Sequence, residues 1–480
     1  MPLDASLKIY NFVFDVRLIE PVEHMGLYSF YRISKPAAKT VEPEKVDEAY
    51  KSIRRRTFWG VTIAYSLYYV CRMSLSVVKQ PLIDKGVLTA GELGLIGSAL
   101  LFVYAVGKFM NGFIADYCNI RRFMATGLFI SALVNLLMGV MGLLRGAIAL
   151  PSALIFMAFA ILWGINGWVQ SMGSPPGVIS LSRWFPQSKR GTYYSMFSSS
   201  PYIGEFLSFI ITGVVVGALG WQYGFIVASV AGLIGSLIIL LFVSDTPESK
   251  GLPSVQTLSG EQMTKQDKMP TKELQKLIVR HPGIWVIAIS SAFIYITKYA
   301  IAGWGVLFLQ KARGFSLEDA TQVIAFSAAF GVVGTVLAGW LSDRLFKGDR
   351  ARPAVLSGIL SALSLFLFLF VGGGFALNIF YVSLFSLSVG VLYCIVAGLM
   401  AVDIVPRKAT GAALGVVGIS SYVAAGLQDI TSGYLIQGYM TEVDGVDVYN
   451  FGPVSWFWIA AALISFALPV LNWKKMKNNN

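Results

Sequence analysis

The sequence predicts an all-α membrane protein with twelve transmembrane helices in two pseudo-symmetric six-helix halves. Three observations predict it: the composition, a series of long apolar stretches, and an internal repeat. Of the 480 residues, 55% are hydrophobic and 13% are charged, whereas a typical soluble domain has about 25% charged residues. The composition therefore excludes an ordinary soluble or fibrous protein. We expect the protein to lie in a lipid bilayer and to bind no nucleic acid.

Twelve stretches are long enough to cross a bilayer, which takes about 20 apolar residues in a helix. They are 57–79, 92–115, 123–144, 152–175, 191–218, 223–243, 283–310, 318–342, 353–371, 376–402, 409–438 and 453–472. The longest polar loop separates the first six from the last six. The predicted divisions are an N-terminal segment, a first half, a linker, a second half and a tail: 1–56, 57–243, 244–282, 283–472 and 473–480.

Two motifs show that the second half repeats the first. The pattern Gly-x-x-x-Asp ends the second span at Asp116 and the eighth at Asp343, 227 residues later. The pattern Pro-x4-Gly begins at Pro186 before span five and at Pro406 before span eleven, a shift of 220. Similar shifts for independent motifs predict that the two halves share one helix arrangement.

Arginines accompany both aspartates of the repeated motif. Arg121 and Arg122 follow Asp116, and Arg344 follows Asp343. Carboxylates and guanidinium groups at helix ends can form ion pairs between helices that break when the halves move. We expect the loops that contain these residues to gate the movement of the halves. The other interpretation is that the loop arginines only set the orientation of the helices in the membrane.

The distribution of Lys and Arg predicts the orientation. Thirty of the 38 lie in the N-terminal segment, the tail and the loops on the same side. Five are predicted to lie at the opposite side, in the outer loops or where a span ends: Lys79, Lys85, Arg145, Lys311 and Arg313. The positive-inside rule then places both termini in the cytoplasm, and we expect the protein to lie in the cell (inner) membrane. We expect segment 1–56 to be a disordered or amphipathic leader, with a docking role for Tyr28, Phe30 and Tyr31 as the alternative.

Three cations remain inside the predicted spans: Arg72, Lys108 and Lys298. Arg72 and Lys298 each lie about 15 residues into spans one and seven, near mid-depth, where a charge is costly and marks a candidate functional site. A guanidinium fork and a lysine facing one cavity would bind a phosphate or carboxylate. Lys108 lies closer to the cytoplasmic end, and it either reaches the interface or lines the inner vestibule.

Tyrosines share helix faces with these cations. Tyr65 and Tyr69 lie seven and three residues before Arg72, and Tyr295 lies three residues before Lys298. Residues at these spacings project from one side of a helix. Phenol hydroxyls beside cations can complete the shell of an oxyanion, although an aromatic packing stripe has the same pattern.

Two carboxylates and one amide also fall within predicted spans. Glu205 and Asp429 are candidate counter-ions of Arg72 or Lys298, or candidate proton sites, and Asp429 could instead make a polar contact near the outer interface. Gln170 could reach the cavity from span four, where the following Gly-Ser-Pro-Pro run predicts a bend.

The sequence does not favour an enzyme. Three scattered cysteines and two histidines form neither a metal spacing nor a nucleophile–base pair. The Gly-Gly-Gly run at 372–374 lacks the lysine and helix of a phosphate-binding loop and predicts a turn. We expect no catalytic residues, no metal and no cofactor.

The repeated loop motif resembles the signature of the major facilitator superfamily, with Tyr117 where a basic residue is usual. Over roughly residues 50–475, six further motifs resemble the organophosphate:phosphate antiporters of that superfamily. They are Tyr65-x-x-Tyr68-Tyr69-x-x-Arg72, Tyr104-x-x-x-Lys108-Phe109-x-x-Gly112, Gln170-x-x-Gly173-x-Pro175-Pro176, Trp184-x5-Arg190-Gly191, Asp245-Thr246-Pro247-x3-Gly251-Leu252-Pro253 and Tyr295-x-x-Lys298-Tyr299-x4-Trp304.

The resemblance implies a secondary transporter that exchanges hexose 6-phosphate or glycerol 3-phosphate for inorganic phosphate by rocker-type alternating access. It implies that Arg72 and Lys298 clamp the phosphate and that Lys108 matches a family lysine. It also implies a set of cavity aromatics: Tyr65, Tyr69, Tyr104, Tyr295, Tyr393 and Tyr422.

Several residues depart from the family pattern, among them Met73 where a lysine is usual and Pro201 where many bacterial members have a histidine. Glu205 has no expected counterpart. These departures keep two alternatives open: a membrane sensor of external sugar phosphate that signals to a partner kinase, and a proton-linked symporter of organic anions.

Overall fold

Twelve long helices follow one another in the computed structural model, which describes residues 26–116, 118–148, 150–186, 193–194, 196–259, 280–341, 345–346, 349–401, 410–443 and 446–478. We number them α1 to α12: Val46–Asp84, Ala90–Asp116, Ile120–Ile148, Ser152–Trp184, Ser200–Leu219, Trp221–Phe242, Pro282–Arg313, Leu317–Trp340, Ala351–Val371, Phe375–Met400, Thr410–Gly438 and Gly452–Asn478.

Within the described ranges, ten helices are long and apolar enough to cross a membrane, and α11 and α12 follow them. The protein is a multi-pass membrane protein, as predicted. A hairpin of β1 (Met440–Val443) and β2 (Val446–Tyr449) connects α11 to α12. A short helix, Gly26–Tyr31, and a 3-10 turn, Pro43–Lys45, precede α1.

The predicted repeat is present in the helix packing. In the first half, α1 packs on α5 and α6, α2 packs on α4, and α3 packs on α6. Six helices later, α7 packs on α11 and α12, α8 on α10, and α9 on α12. The two halves therefore have the same arrangement of six helices.

The halves meet through the pairs α2–α11, α5–α8 and α1–α7. Their contacts include the end of the bundle where α1 finishes and α2 begins, which we call the distal end. There Lys311 Nζ lies 2.6 Å from Asp84 Oδ1, and the backbone N–H of Gly91 donates to Gln437 Oε1 at 2.9 Å. Small residues allow α2 and α11 to approach this closely. At Gly94, for example, a side chain would clash, because its Cβ would lie 2.7 Å from the Asp429 carbonyl oxygen.

Two predicted interruptions of helices are confirmed. α4 stops at Gln170 and resumes at Ser174, where the two prolines follow. The glycine run between α9 and α10 forms a turn, and Gly372 and Gly373 have φ angles of +64° and +128°. Residues that carry a Cβ rarely adopt positive φ angles of this size, which explains glycine at both positions.

The segment before α1 lies against the opposite, proximal end of the first half. The backbone N–H groups of Ala37 and Val41 donate to the carbonyl oxygens of Glu248 and Gly251, each at 2.9 Å. Of the expected disordered or amphipathic leader, the disordered part is wrong for residues 26–45, because backbone hydrogen bonds attach this segment to the loop after α6. The amphipathic and docking interpretations stay predictions. Residues 1–25 lie outside the described part of the chain.

Asp245 is the centre of this attachment. Its Oδ2 accepts the Ser34 N–H at 2.8 Å, and its Oδ1 accepts the Ile120 N–H at 3.0 Å. Arg183 Nη1 lies 2.6 Å from Oδ1. One buried carboxylate thus joins the N-terminal segment, the start of α3, the end of α4 and the loop after α6.

We expect Asp245→Asn to lower the free energy of unfolding by about 3 kcal/mol, because breaking a buried ion pair leaves a charge without its counter-ion. Thermal unfolding in detergent checks this. Asp84→Asn is the matched control: it removes a distal ion pair whose aspartate side chain is 44% exposed, and exposed pairs contribute at most about 1 kcal/mol. Equal losses in the two variants would contradict the role assigned to Asp245.

Candidate anion-binding site

Arg72 lies on α1 between the two halves, with 5% of its surface exposed. Its Nη1 donates to the Tyr69 hydroxyl at 3.2 Å. Its guanidinium carbon lies 4.0 Å from the ring centre of Tyr104, in the same half, and 5.6 Å from that of Tyr422, in the other half. Among the described residues, Arg72 Nε and Nη2 have no hydrogen-bond partner. Two unused donors on a buried guanidinium suit an oxyanion ligand.

Lys298 lies on α7 and is half-buried. Its Nζ is 4.2 Å from the ring centre of Tyr202, in the first half, and 5.4 Å from that of Tyr393. A cavity of about 20 Å³ contains Lys298 and Glu205 in its lining. Glu205 is 6% exposed, and within the described chain its Oε2 accepts no hydrogen bond. The carboxylate and the ammonium group therefore line the same small cavity.

Lys108 also faces the boundary between the halves. Its Nζ lies 5.0 Å from the ring centre of Tyr422 and 6.0 Å from that of Tyr104. The ammonium group therefore lies beside aromatic rings of both halves, and its predicted place in the inner vestibule stays a prediction. Arg72 and Lys108 thus share the rings of Tyr104 and Tyr422, and Lys298 lies over the rings of Tyr202 and Tyr393.

Tyr422 is central to this set. Its ring centre lies 4.5 Å from that of Tyr104, 5.1 Å from that of Tyr295 and 6.1 Å from that of Tyr299. Further contacts connect Tyr295 with Tyr393 and Tyr65 with Tyr69. The structure therefore brings together all six tyrosines that the sequence indicated: Tyr65, Tyr69, Tyr104, Tyr295, Tyr393 and Tyr422.

Sequence reasoning missed two tyrosines of the site. Tyr299 follows Lys298 directly, and it lines both the cavity beside Arg72 and a cavity beside Lys298. Tyr202 carries its ring beneath Lys298. Tyr299 was adjacent to a predicted site residue, but Tyr202 had no signal beyond its position three residues before Glu205.

Asp429 does not neutralise Arg72 or Lys298. Its Oδ1 accepts from Lys79 Nζ at 3.2 Å and from Trp304 Nε1 at 2.5 Å. The sequence placed Lys79 in an outer loop because the apolar stretch ends there. However, α1 continues to Asp84 and buries Lys79 to 2% exposure.

Gln170 lies inside the first half rather than in the cavity. Its Nε2 donates to the Tyr68 carbonyl oxygen and to Ser131 Oγ, both at 2.9 Å. The side chain therefore joins α4 to α1 and α3, where it satisfies buried polar groups.

The gating-loop prediction stays a prediction. Arg121 donates to the Leu240 carbonyl oxygen, and Arg122 Nη1 donates to that of Phe30 at 2.7 Å. Asp343, Arg344 and the side chain of Asp116 lie outside the described residues.

The site can hold a dianion. Arg72, Lys108 and Lys298 contribute three positive charges and Glu205 one negative charge, so this part of the boundary between the halves carries a net charge of about +2 when all four are ionised. In the described chain, no group of three or more His, Cys, Asp or Glu residues could hold a metal ion. The ligand chemistry that fits is a phosphate or a phosphate monoester, bound by a guanidinium and two ammonium groups from both halves.

Comparisons with known proteins agree with the fold and with this ligand chemistry. Residues 61–428 match the sequence profile of the Major Facilitator Superfamily. A solved bacterial homologue of the human lysosomal transporter Spinster, inward-facing and unoccupied, has a similar fold. The TM-score is 0.65 and the identity 18%, over 89% of this chain and 96% of that one.

Three curated relatives are similar over most of their length. The glycerol-3-phosphate transporter of Bacillus subtilis is 31% identical, over 93% of this chain and 98% of its own. A probable hexose phosphate transport protein of Chlamydia muridarum is 30% identical, over 83% and 88%. The membrane sensor protein UhpC of Salmonella typhimurium is 28% identical, over 84% and 89%.

We expect Tyr422→Phe to keep most of the affinity for orthophosphate and Tyr422→Leu to lose about tenfold. The reason is that a ring beneath a partly desolvated cation contributes up to about 2 kcal/mol, and this ring contacts two cations. Calorimetric titration of each purified variant with orthophosphate, compared with the wild type, checks both expectations. An equal loss in both variants would mean that the hydroxyl, and not the ring, is what the anion site requires.

Proposed function

The chain belongs to the Major Facilitator Superfamily, and we propose that it is an inner-membrane carrier that exchanges an organic phosphate for inorganic phosphate. The observation that carries the proposal is the set of three cations, Arg72, Lys108 and Lys298, held on tyrosine rings where the halves meet. The names of two relatives favour glycerol 3-phosphate or a hexose phosphate as the organic phosphate. Membership of a carrier family also agrees with the prediction that the protein is not an enzyme.

The phosphate group binds between the halves. Arg72 offers Nε and Nη2 from α1, and Lys298 offers its ammonium from α7. Lys108 adds a third cation from α2. Because the phosphate contacts residues of both halves at once, its binding free energy depends on their relative position, which is the requirement for alternating access.

Exchange follows from charge neutralisation. With a phosphate dianion bound, the net charge of the cavity falls to about zero. Without it, cations of the two halves face each other in a medium that solvates them poorly. The occupied carrier therefore changes conformation readily and the empty carrier slowly, so that each phosphate that leaves is replaced by another.

The organic part of the substrate lies against the tyrosines. Their rings offer flat apolar surfaces and their hydroxyls offer hydrogen-bond donors and acceptors, which suits the alternating C–H and O–H groups of a polyol. Both termini lie in the cytoplasm in this proposal, so the proximal end with its basic loops faces inward.

Counterflow in proteoliposomes tests the proposal. With inorganic phosphate inside, labelled glucose 6-phosphate or glycerol 3-phosphate should enter the vesicles. Arg72→Ala and Lys298→Ala should each lower the rate at least about 100-fold, because each removes a charge-assisted contact made to the bound phosphate. Lys85→Ala, in the exposed loop after α1, is the matched control and should transport normally. Uptake that needs neither internal phosphate nor these cations would refute the exchange mechanism.

Glu205 favours a second candidate, a proton-linked organic-anion symporter. It is a buried carboxylate beside Lys298, and its Oε2 accepts no hydrogen bond from the described residues. In an exchanger it serves as the resting counter-ion of Lys298; in a symporter it would carry the coupled proton.

Glu205→Gln distinguishes the two. For an exchanger, we expect tighter phosphate binding, by about tenfold, because the cavity gains one net positive charge. Phosphate-dependent counterflow should persist. For a symporter, uptake should require a proton gradient in the wild type and lose that requirement in the variant. The measurement is uptake with and without an imposed pH difference, at fixed internal phosphate.

A sensor role is the remaining alternative, because UhpC is among the relatives. Calorimetric binding of sugar phosphate without any uptake into proteoliposomes would favour it over transport, and a partner kinase would then be sought.

A further inference from the structure

A second cavity lies on the distal side of Arg72, with a volume of about 40 Å³. Residues from both halves line it, including Arg72, Ser76 and Lys79 of α1, Tyr299 of α7 and Asp429 of α11. Arg72 and Lys79 are seven residues apart, so they project from the same face of α1, two turns from each other. The cavity therefore extends from the candidate phosphate site toward the distal end of the bundle.

An ion pair that crosses the halves forms one wall of this cavity. Lys79 Nζ lies 3.2 Å from Asp429 Oδ1, and both residues are buried, with exposures of 2% and 7%. Trp304 holds the same carboxylate oxygen through Nε1, and its ring lies 3.5 Å from Lys79 Nζ. A Cβ at Gly97 would overlap the Asp429 carboxylate, so the backbone of α2 also closes over the pair.

This pair depends on the halves being closed at the distal end. Lys79 belongs to the first half and Asp429 to the second, and alternating access requires these halves to separate there. Separation removes the lysine from its carboxylate and leaves an ammonium group in a cavity that already contains Arg72. An ammonium group that has lost its carboxylate partner can donate a charge-assisted hydrogen bond to an anion that enters the opened cavity.

We propose that Lys79 is a further phosphate-binding cation of the transport pathway, held by Asp429 until the distal end opens. In this proposal the Asp429 carboxylate is a resident anion that competes with phosphate for Lys79. The cavity between Arg72 and Lys79 is then the subsite where phosphate, free or esterified, first binds from the distal side. The proposal rests on the proposed function, because it assumes that phosphate binds at Arg72.

Calorimetric titration of the full-length protein with inorganic phosphate tests this subsite in four forms: wild type, Asp429→Asn, the double variant Lys79→Gln/Asp429→Asn, and Arg72→Ala. Removing the competing carboxylate should tighten binding about tenfold, as expected for one charge-assisted contact. Adding Lys79→Gln should reverse that gain and bring the affinity below that of the wild type.

The double variant is the decisive comparison, because it removes one charge of each sign and leaves the net charge unchanged. If the pair served only as a latch, or acted only through the background field, the double variant would bind phosphate as tightly as the wild type or more tightly. Either result would overturn the proposal. An unchanged affinity in Asp429→Asn would also overturn it, and this variant keeps the test valid if the double variant does not fold.

Arg72→Ala separates this proposal from the proposed function. If the wild type binds phosphate and Arg72→Ala does not, while the double variant matches the wild type, then only the role of Lys79 fails. If the wild type binds no phosphate, both proposals fail together.

Discussion

Three cations held where two helical halves meet are the constraint on which the rest of this structure depends. A charge inside a membrane protein is costly unless other groups replace its hydration. Here Arg72, Lys108 and Lys298 lie over tyrosine rings, and each cation has one ring supplied by the opposite half. Ring faces stabilise cations without neutralising them. The site therefore keeps its positive charge available for a ligand while the empty protein remains folded.

The same constraint explains why the ion pairs of the protein are distributed as they are. Asp429 lies at the boundary between the halves but pairs with Lys79 and leaves Arg72 without a carboxylate partner among the described residues. Asp245 gathers its partners at the proximal end of the first half, away from the cations. The Asp245–Arg183 pair thus stabilises the first half, and the Lys79–Asp429 pair stabilises the closed distal end. Neither pair reduces the positive charge of the candidate anion-binding site.

Most of the fold and part of the site could be predicted from the sequence, because both follow from local patterns. Twenty apolar residues in a row must span a bilayer as a helix, and a cation within such a run must face protein rather than lipid. The tyrosines at helical spacing from Arg72 were found in the same way. Lys79 was missed because an apolar stretch does not show where a helix ends. Gln170 was predicted to reach the cavity because the sequence showed that it lies in a helix. It did not show that the side chain donates hydrogen bonds within the first half.

By itself, the sequence determined the number of helices, their repeat and the cations that cannot face lipid, since each of these depends on the hydropathy or spacing of neighbouring residues. Only the tertiary structure decided which charges are paired. Lys79 and Asp429 are 350 positions apart, and their contact exists because small residues let α2 approach α11 and bring the halves together. No local pattern encodes that approach, so the difference between a neutralised charge and one available to a ligand emerges only from the packing.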